Sequence, residues 1–268
     1  MIGLAVLFGA ALLLLGGLWL TQRSLIFFPD SSPPPPVTQV LPGGQDVTLS
    51  TSDGLELAAW YVPAAEPGRE TVLVAPGNAG SRAMRAQLGS SIAEAGYGVL
   101  LMDYRGYGGN PGSPSEEGLS QDARAGLSFL TGQAGLTPDE VIYFGESIGG
   151  AVVTELAGEH PPAGLVLRSP FTSLADAGRA AYGVPVGWLL RDEFDVRSGV
   201  ERVRAAVVVI YGEADSIVPP QQSRAAAQAS RDAGNDTAEL SVPGADHNDP
   251  ELAQGPEVVE ALDHLTGR

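Results

Sequence analysis

The chain has 268 residues and a formal net charge of −17, enough length for one sizeable core with a short appendage and a field that repels nucleic-acid phosphates and other anionic surfaces. It has no cysteine and 3 histidines, which excludes disulfides, a thiol nucleophile and thiolate metal sites, and leaves no cluster suited to a transition metal. Hydrophobic residues at 44% and charged residues at 18% describe an ordinary packed protein.

Residues 1–22 read as a transmembrane anchor. Ile2 to Leu20 carry no charge and are mostly Leu, Ala, Val and Gly, and at a rise of about 1.5 Å per residue they nearly span a hydrocarbon core of roughly 30 Å. Trp19 and Arg23 stand where an aromatic belt and a flanking charge are expected. No basic residue precedes the apolar run and no clear small-x-small cleavage site follows it, so the expectation is a single-pass membrane protein, with secretion after signal cleavage as the alternative. Arg23 alone gives a weak positive-inside argument for a cytoplasmic C-terminal domain. Ser31-Ser32-Pro33-Pro34-Pro35-Pro36 holds an extended conformation, and residues 23–45 read as a linker.

Residues 46–268 read as one catalytic domain. Asp46 to Ser50 and Leu55 to Val62 are β-rich and flank Asp53-Gly54, a hairpin signal. Thr71 to Ala75 is short, apolar and bounded by Gly and Pro, as a buried parallel strand is. Strands at Gly98–Met102, Val141–Phe144, Gly164–Leu167, Ala206–Tyr211 and Ala238–Val242 then alternate with helices at Glu116–Leu130, Ile148–Gly158 and Pro220–Asp232, and a last helix runs from Pro256 to Leu265. That alternation predicts an α/β fold, a mostly parallel twisted sheet with helices on both faces, whose chemistry belongs at the carboxyl ends of the strands.

Gly145-Glu146-Ser147-Ile148-Gly149 fits G-x-S-x-G between a predicted strand and a predicted helix, the context in which the serine hydroxyl is exposed on a strained turn. A serine needs a base to take its proton and a third group to orient that base. His247 follows the last predicted strand, whereas His160 ends a helix beside Pro161-Pro162 and His264 sits in the terminal helix. His247 is therefore the candidate base. Asp215, in the loop after Ala206–Tyr211, is the candidate acid, with Glu213, Asp246 and Asp249 as alternatives. Ser147, Asp215 and His247 follow one another in the order nucleophile, acid, base that such folds use.

Backbone N–H groups must face the developing oxyanion, and the candidates are those of Ile148 and Asn78. Asn78 lies in Pro76-Gly77-Asn78-Ala79-Gly80-Ser81, with a simple strand-helix turn as the alternative reading of that loop. No G-K-[ST] follows and the pattern is not G-x-G-x-x-G, so nucleotide binding is set aside.

With these residues in place, the chain from about 47 to 265 resembles the α/β-hydrolase domain-containing serine hydrolases, in particular a membrane-anchored group with an H-G-N-A-G loop. Pro-Gly-Asn-Ala-Gly at 76–80, Asp103-Tyr104-Arg105-Gly106-Tyr107-Gly108, Gly-Glu-Ser-Ile-Gly at 145–149 and Gly212 to Pro219 occur in that family's order, as does Gln22-Arg23-Ser24-Leu25-Ile26 after the apolar span. Pro76 departs from the pattern, standing where the family has a His that supports the oxyanion loop. The resemblance implies hydrolysis of carboxylic esters or thioesters of acyl or lipid-like substrates through an acyl-enzyme, with no cofactor and no metal. An exopeptidase with the same residues and a non-catalytic binding protein are the rival expectations. Residues 169–203 hold Phe171, Tyr182, Trp188 and Phe194 and read as a small helical cap or, equally, as surface helices with ordinary core contacts.

Overall fold

The computed structural model describes residues 2–267, apart from the side chains at positions 2, 5 and 11; Met1 and Arg268, which end the expected anchor and the expected catalytic domain, lie outside the described residues. The chain begins with α1 (Ile2–Thr21), the single turn α2 (Arg23–Ile26) and a two-residue strand β1 (Phe28–Pro29). Among the described residues no helix is long and apolar enough to cross a membrane. This overturns the expected transmembrane anchor, and with it the single-pass membrane localisation and the membrane contact drawn from it. The 20 residues of α1 supply about 30 Å, with no excess over a hydrocarbon core, and Gly3, Gly9, Gly16 and Gly17 add no apolar side chain to that length. Trp19, expected at a membrane boundary, lies under the Arg191 guanidinium, 4.7 Å from ring centroid to Cζ, a cation–π contact within the protein.

Residues 23–45, expected to be a spacer, lie against the rest of the chain. Phe27, Val37 and Leu41 are buried, and Phe27 meets Phe194 edge-to-face at 6.2 Å. Truncating a buried aromatic of this kind costs about 3–5 kcal/mol, so Phe27 is a firm attachment point for the segment.

β2 (Gln45–Ser50) and β3 (Glu56–Val62) form an antiparallel hairpin with Val47 opposite Ala59, turned by Gly54 at φ 89°. There follow β4 (Thr71–Ala75), β5 (Ala79–Gly80), α3 (Ala86–Glu94), β6 (Gly98–Met102), α4 (Glu116–Gly132), β7 (Val141–Glu146) and α5 (Ile148–Glu159). The chain continues through β8 (Gly164–Arg168), α6 (Leu174–Tyr182), α7 (Val196–Val200), β9 (Val207–Gly212), α8 (Pro220–Asp232), β10 (Thr237–Val242), α9 (Pro250–Gln254) and α10 (Pro256–Thr266). The main sheet has the order β10-β9-β8-β7-β4-β6-β3-β2. Its pairs from β10 to β6 are parallel, and the β6–β3 and β3–β2 pairs are antiparallel.

Successive side chains of a strand point to opposite faces, and the core divides accordingly. Leu73, Leu100, Tyr143, Leu167 and Val209 pack with residues of α4, α5 and α8, whereas Val74, Leu101, Phe144, Val166 and Ile210 pack with residues of α3 and α10. No helix was expected at α3. It is short and contains Gly89, where a Cβ would come within 2.8 Å of Leu101 Cδ1, so the glycine that weakens the helical pattern also lets the helix approach the sheet. The stretch 169–203 lies between β8 and β9 and holds α6 and α7.

Candidate active site

Parallel β4, β7, β9 and β10 deliver the loops that follow them to one edge of the sheet. Ser147 is the residue between β7 and α5, at φ 52° and ψ −113°, a positive φ that L-residues adopt only under constraint. Two glycines supply the room. A Cβ on Gly145 would meet Gly149 O and Val153 Cγ2, each at 2.5 Å, and a Cβ on Gly149 would run into the backbone of Ala75 and Pro76. Ser147 N–H donates to Arg168 O at 2.8 Å and Ser147 O accepts from Gly150 N–H at 2.9 Å, bonds that hold the turn on either side. The Ser147 hydroxyl donates to no protein acceptor among the described residues.

The loops after β9 and β10 bring Asp215 and His247 together. His247 Nδ1 lies 2.8 Å from Asp215 Oδ2, and both side chains are buried. Asp215 Oδ1 accepts from the N–H groups of Ile217 at 3.0 Å and Val218 at 2.7 Å, which fixes the carboxylate and leaves its other oxygen for the imidazole. The other acids of this region have different partners. Glu213 accepts from Ser241 Oγ, Asp246 accepts from Ser216 and from His247 N–H, and Asp249 accepts from Asp246 N–H. His160 and His264 are exposed, and the His160 carbonyl accepts from Tyr143 Oη at the end of α5.

Arg168 and Glu146 escaped the sequence reading. Arg168 carries the carbonyl that receives Ser147 N–H, and its Nη1 donates to His247 O at 2.9 Å, so one residue ties the serine turn to the histidine loop. Glu146 accepts from Arg168 Nη2 at 2.8 Å and from Arg85 Nη2 at 2.8 Å. Burial alone raises a carboxyl pKa, but the two guanidiniums outweigh it and hold Glu146 down at about 2. Arg85 Nη1 in turn donates to Ala79 O at 2.6 Å.

Among the described residues no protein acceptor takes the N–H of Ile148 or of Asn78. Two tyrosines of the Asp103–Gly108 stretch hold the loop that carries Asn78: Tyr104 Oη donates to Pro76 O at 3.1 Å and Tyr107 Oη to Asn78 O at 2.8 Å. Asp103 accepts from Arg82 N–H and Nη1, each at 2.6 Å. Among the described residues no group of three or more His, Asp or Glu is placed to hold a metal ion.

Residues 66–192 match a family model described as serine aminopeptidase, S33. An uncharacterized protein of Mycobacterium tuberculosis (strain ATCC 25618 / H37Rv), Rv2307c, is 47% identical over 247 residues, covering 91% of this chain and 87% of the relative. The lysophosphatidylserine lipase ABHD12 of Danio rerio is 30% identical over 185 residues, covering 61% of this chain and 48% of that protein. Among solved structures, an alpha-beta hydrolase from Vibrio vulnificus superposes with a TM-score of 0.70 at 22% identity, covering 84% of this chain and 81% of the other.

Proposed function

The chain belongs to the α/β-hydrolase family, and from that premise we propose that it is a serine hydrolase of carboxylic esters or thioesters with acyl or lipid-like acid groups. The observation that carries the reading is the pairing of His247 with Asp215 at 2.8 Å on the sheet edge where Ser147 is held at positive φ. Ser147 Oγ attacks the acyl carbonyl carbon as His247 takes its proton, and Asp215 holds the imidazole in one orientation and stabilises its charged form. The carbonyl oxygen becomes an oxyanion facing the Ile148 and Asn78 N–H groups. The intermediate collapses as the imidazolium protonates the departing alcohol or thiol, leaving an ester on Ser147. Water, deprotonated by His247, then releases the acid and restores the serine. The lipase name carried by ABHD12 supports an acyl ester as the substrate class.

A serine exopeptidase reading has one observation in its favour, the aminopeptidase description of the matching family model. The deciding experiment is labelling of the protein and of Ser147→Ala with a fluorophosphonate probe, followed by 4-nitrophenyl acyl esters of increasing chain length and aminoacyl 4-nitroanilides. Labelling that disappears in the variant, with kcat/KM on esters exceeding that on anilides, is expected; turnover of anilides alone moves the exopeptidase to first place. Absence of labelling in the folded protein rejects both.

A further inference from the structure

The loop Pro76 to Ser81 must hold the Asn78 N–H in register with an oxyanion, yet Pro76 has neither an N–H nor a polar side chain to brace it. Beside the Tyr104, Tyr107 and Arg85 bonds to its carbonyls, the loop is braced by the N-terminal segment. That segment grips Asn78 at two points: Asn78 Nδ2 donates to Ile26 O at 2.8 Å, and the Asn78 carbonyl, which also receives Tyr107 Oη, accepts from Phe28 N–H at 2.8 Å. β1 then pairs in parallel with β5, Phe28 beside Ala79 and Pro29 beside Gly80, and Asp30 N–H donates to Gly80 O at 3.1 Å. The far side of the segment is fixed as well, because Gly108 N–H donates to Asp30 O at 2.7 Å and Phe27 is buried against Phe194. A two-stranded pair this short has no independent stability, so it exists only because these attachments hold it there.

We propose that residues 26–30 are part of the active site: they position the Asn78 N–H for the oxyanion, through reciprocal bonds from Asn78 Nδ2 to Ile26 O and from Phe28 N–H to Asn78 O. The inference rests on the serine hydrolase reading above. Ile26 and Phe28 are positioning residues, since they act on the substrate only through Asn78. Bonds to Asn78 are made before substrate arrives, so their contribution is preorganisation of a donor that acts in the transition state.

The test uses the full chain and two variants that break one bond each. Phe28→Pro removes the donor N–H; Asn78→Ala keeps the backbone N–H but removes the amide that reaches Ile26. Active sites are titrated with the fluorophosphonate probe, and kcat, KM and the inhibition constant of an acyl trifluoromethyl ketone, which forms a tetrahedral oxyanion on the serine, are measured per titrated site. Since outright removal of an oxyanion donor lowers kcat by about 100-fold or more, displacement is expected to lower it by about tenfold in each variant. KM should stay near its original value and ketone affinity should fall in step with kcat. A merely structural role moves the melting temperature and the titratable fraction but not kcat per site, and that result overturns the proposal. So does wild-type kcat and ketone affinity in both folded variants. If Phe28→Pro does not fold, Asn78→Ala decides alone by the same criterion. Wild-type protein that takes no probe rejects the hydrolase reading itself, and this proposal with it, before any variant is compared.

Discussion

Glu146 sits in the motif position usually left as an arbitrary residue, and its surroundings give that position a task. It separates two cations, Arg85 and Arg168, whose side chains are 10% and 2% exposed, and each cation carries a carbonyl of the site: Ala79 O for Arg85 and His247 O for Arg168. Glu146→Gln keeps the shape but leaves two largely buried guanidiniums without their anion, a loss of about 3 kcal/mol by the usual cost of breaking a buried pair. Because the folded pKa of about 2 lies below the ordinary 4.5, the stabilisation is complete above about pH 4.5 and is lost as the pH falls toward 2. Melting curves across pH by circular dichroism should therefore show the wild type losing stability over that window and the variant, less stable at pH 7, losing less. Parallel curves would remove Glu146 from the account. With both carbonyls less firmly held, kcat should drop about tenfold while KM changes little, as for a group that acts only on transition-state geometry.

At the scale of elements, the N-terminal segment joins two parts of the molecule that are far apart in sequence. Before it reaches the loop at 76–81, Gln22 donates through Nε2 to Leu189 O at 3.1 Å and accepts from Arg191 N–H at 2.8 Å, and Arg23 makes a two-pronged bond to Asp192, both distances 2.8 Å. Asp192 is buried and also receives Glu116 N–H at 3.2 Å. The insertion between β8 and β9 is thus tied through residues 189–192 to Gln22 and α2. Arg23→Ala leaves a buried carboxylate short of its cation, and since Arg23 is itself about a third exposed, the expected loss is about 1–2 kcal/mol. If the insertion covers the acyl group, the same variant should raise KM for long-chain esters about threefold or more relative to short ones; equal changes for both chain lengths assign Arg23 to stability alone. These connections were not legible in the sequence. Two-residue strands have no periodicity to detect, and the bond between Asn78 and Ile26 spans 52 positions. The uncharged run ahead of Arg23 instead suggested an anchor, because hydropathy counts residues without asking what Trp19, Gln22 and Arg23 touch.

For the whole molecule, the parallel sheet and its loop edge were readable because buried strands and G-x-S-x-G are local patterns, each complete within a few residues. The hairpin between β2 and β3 was equally plain, since Asp53-Gly54 specifies its turn. What escaped depends on tertiary geometry: α3, whose Gly89 suits the sheet rather than the helix; the Tyr104 and Tyr107 hydroxyls that reach back to the loop at 76–80; and Arg168, an ordinary strand-end residue until its contacts are seen. Burial sorted the aromatics of 169–203 in a way that composition does not, with Phe171 and Phe194 inside and Tyr182 and Trp188 exposed.

The net charge of −17 bears on which acyl esters can reach the site. Arg82 is paired with Asp103, and Arg85 and Arg168 share Glu146, which leaves a single excess positive charge there against a total of −17, so an approaching ester meets the field of the acidic surface with little local offset. At low ionic strength that field extends about 30 Å and at physiological salt about 8 Å. A negatively charged substrate, such as the 4-nitrophenyl monoester of a dicarboxylic acid, is therefore expected to gain about threefold in kcat/KM between 10 and 200 mM salt, and a neutral ester of the same length should change little. Steady-state rates for the two esters over a salt series decide the matter. An equal response would mean that the surface charge lies too far from the sheet edge to act there, and an opposite one, with the anionic ester losing rate as salt rises, would mean that Arg85 and Arg168 retain an attractive field at the mouth despite their partner.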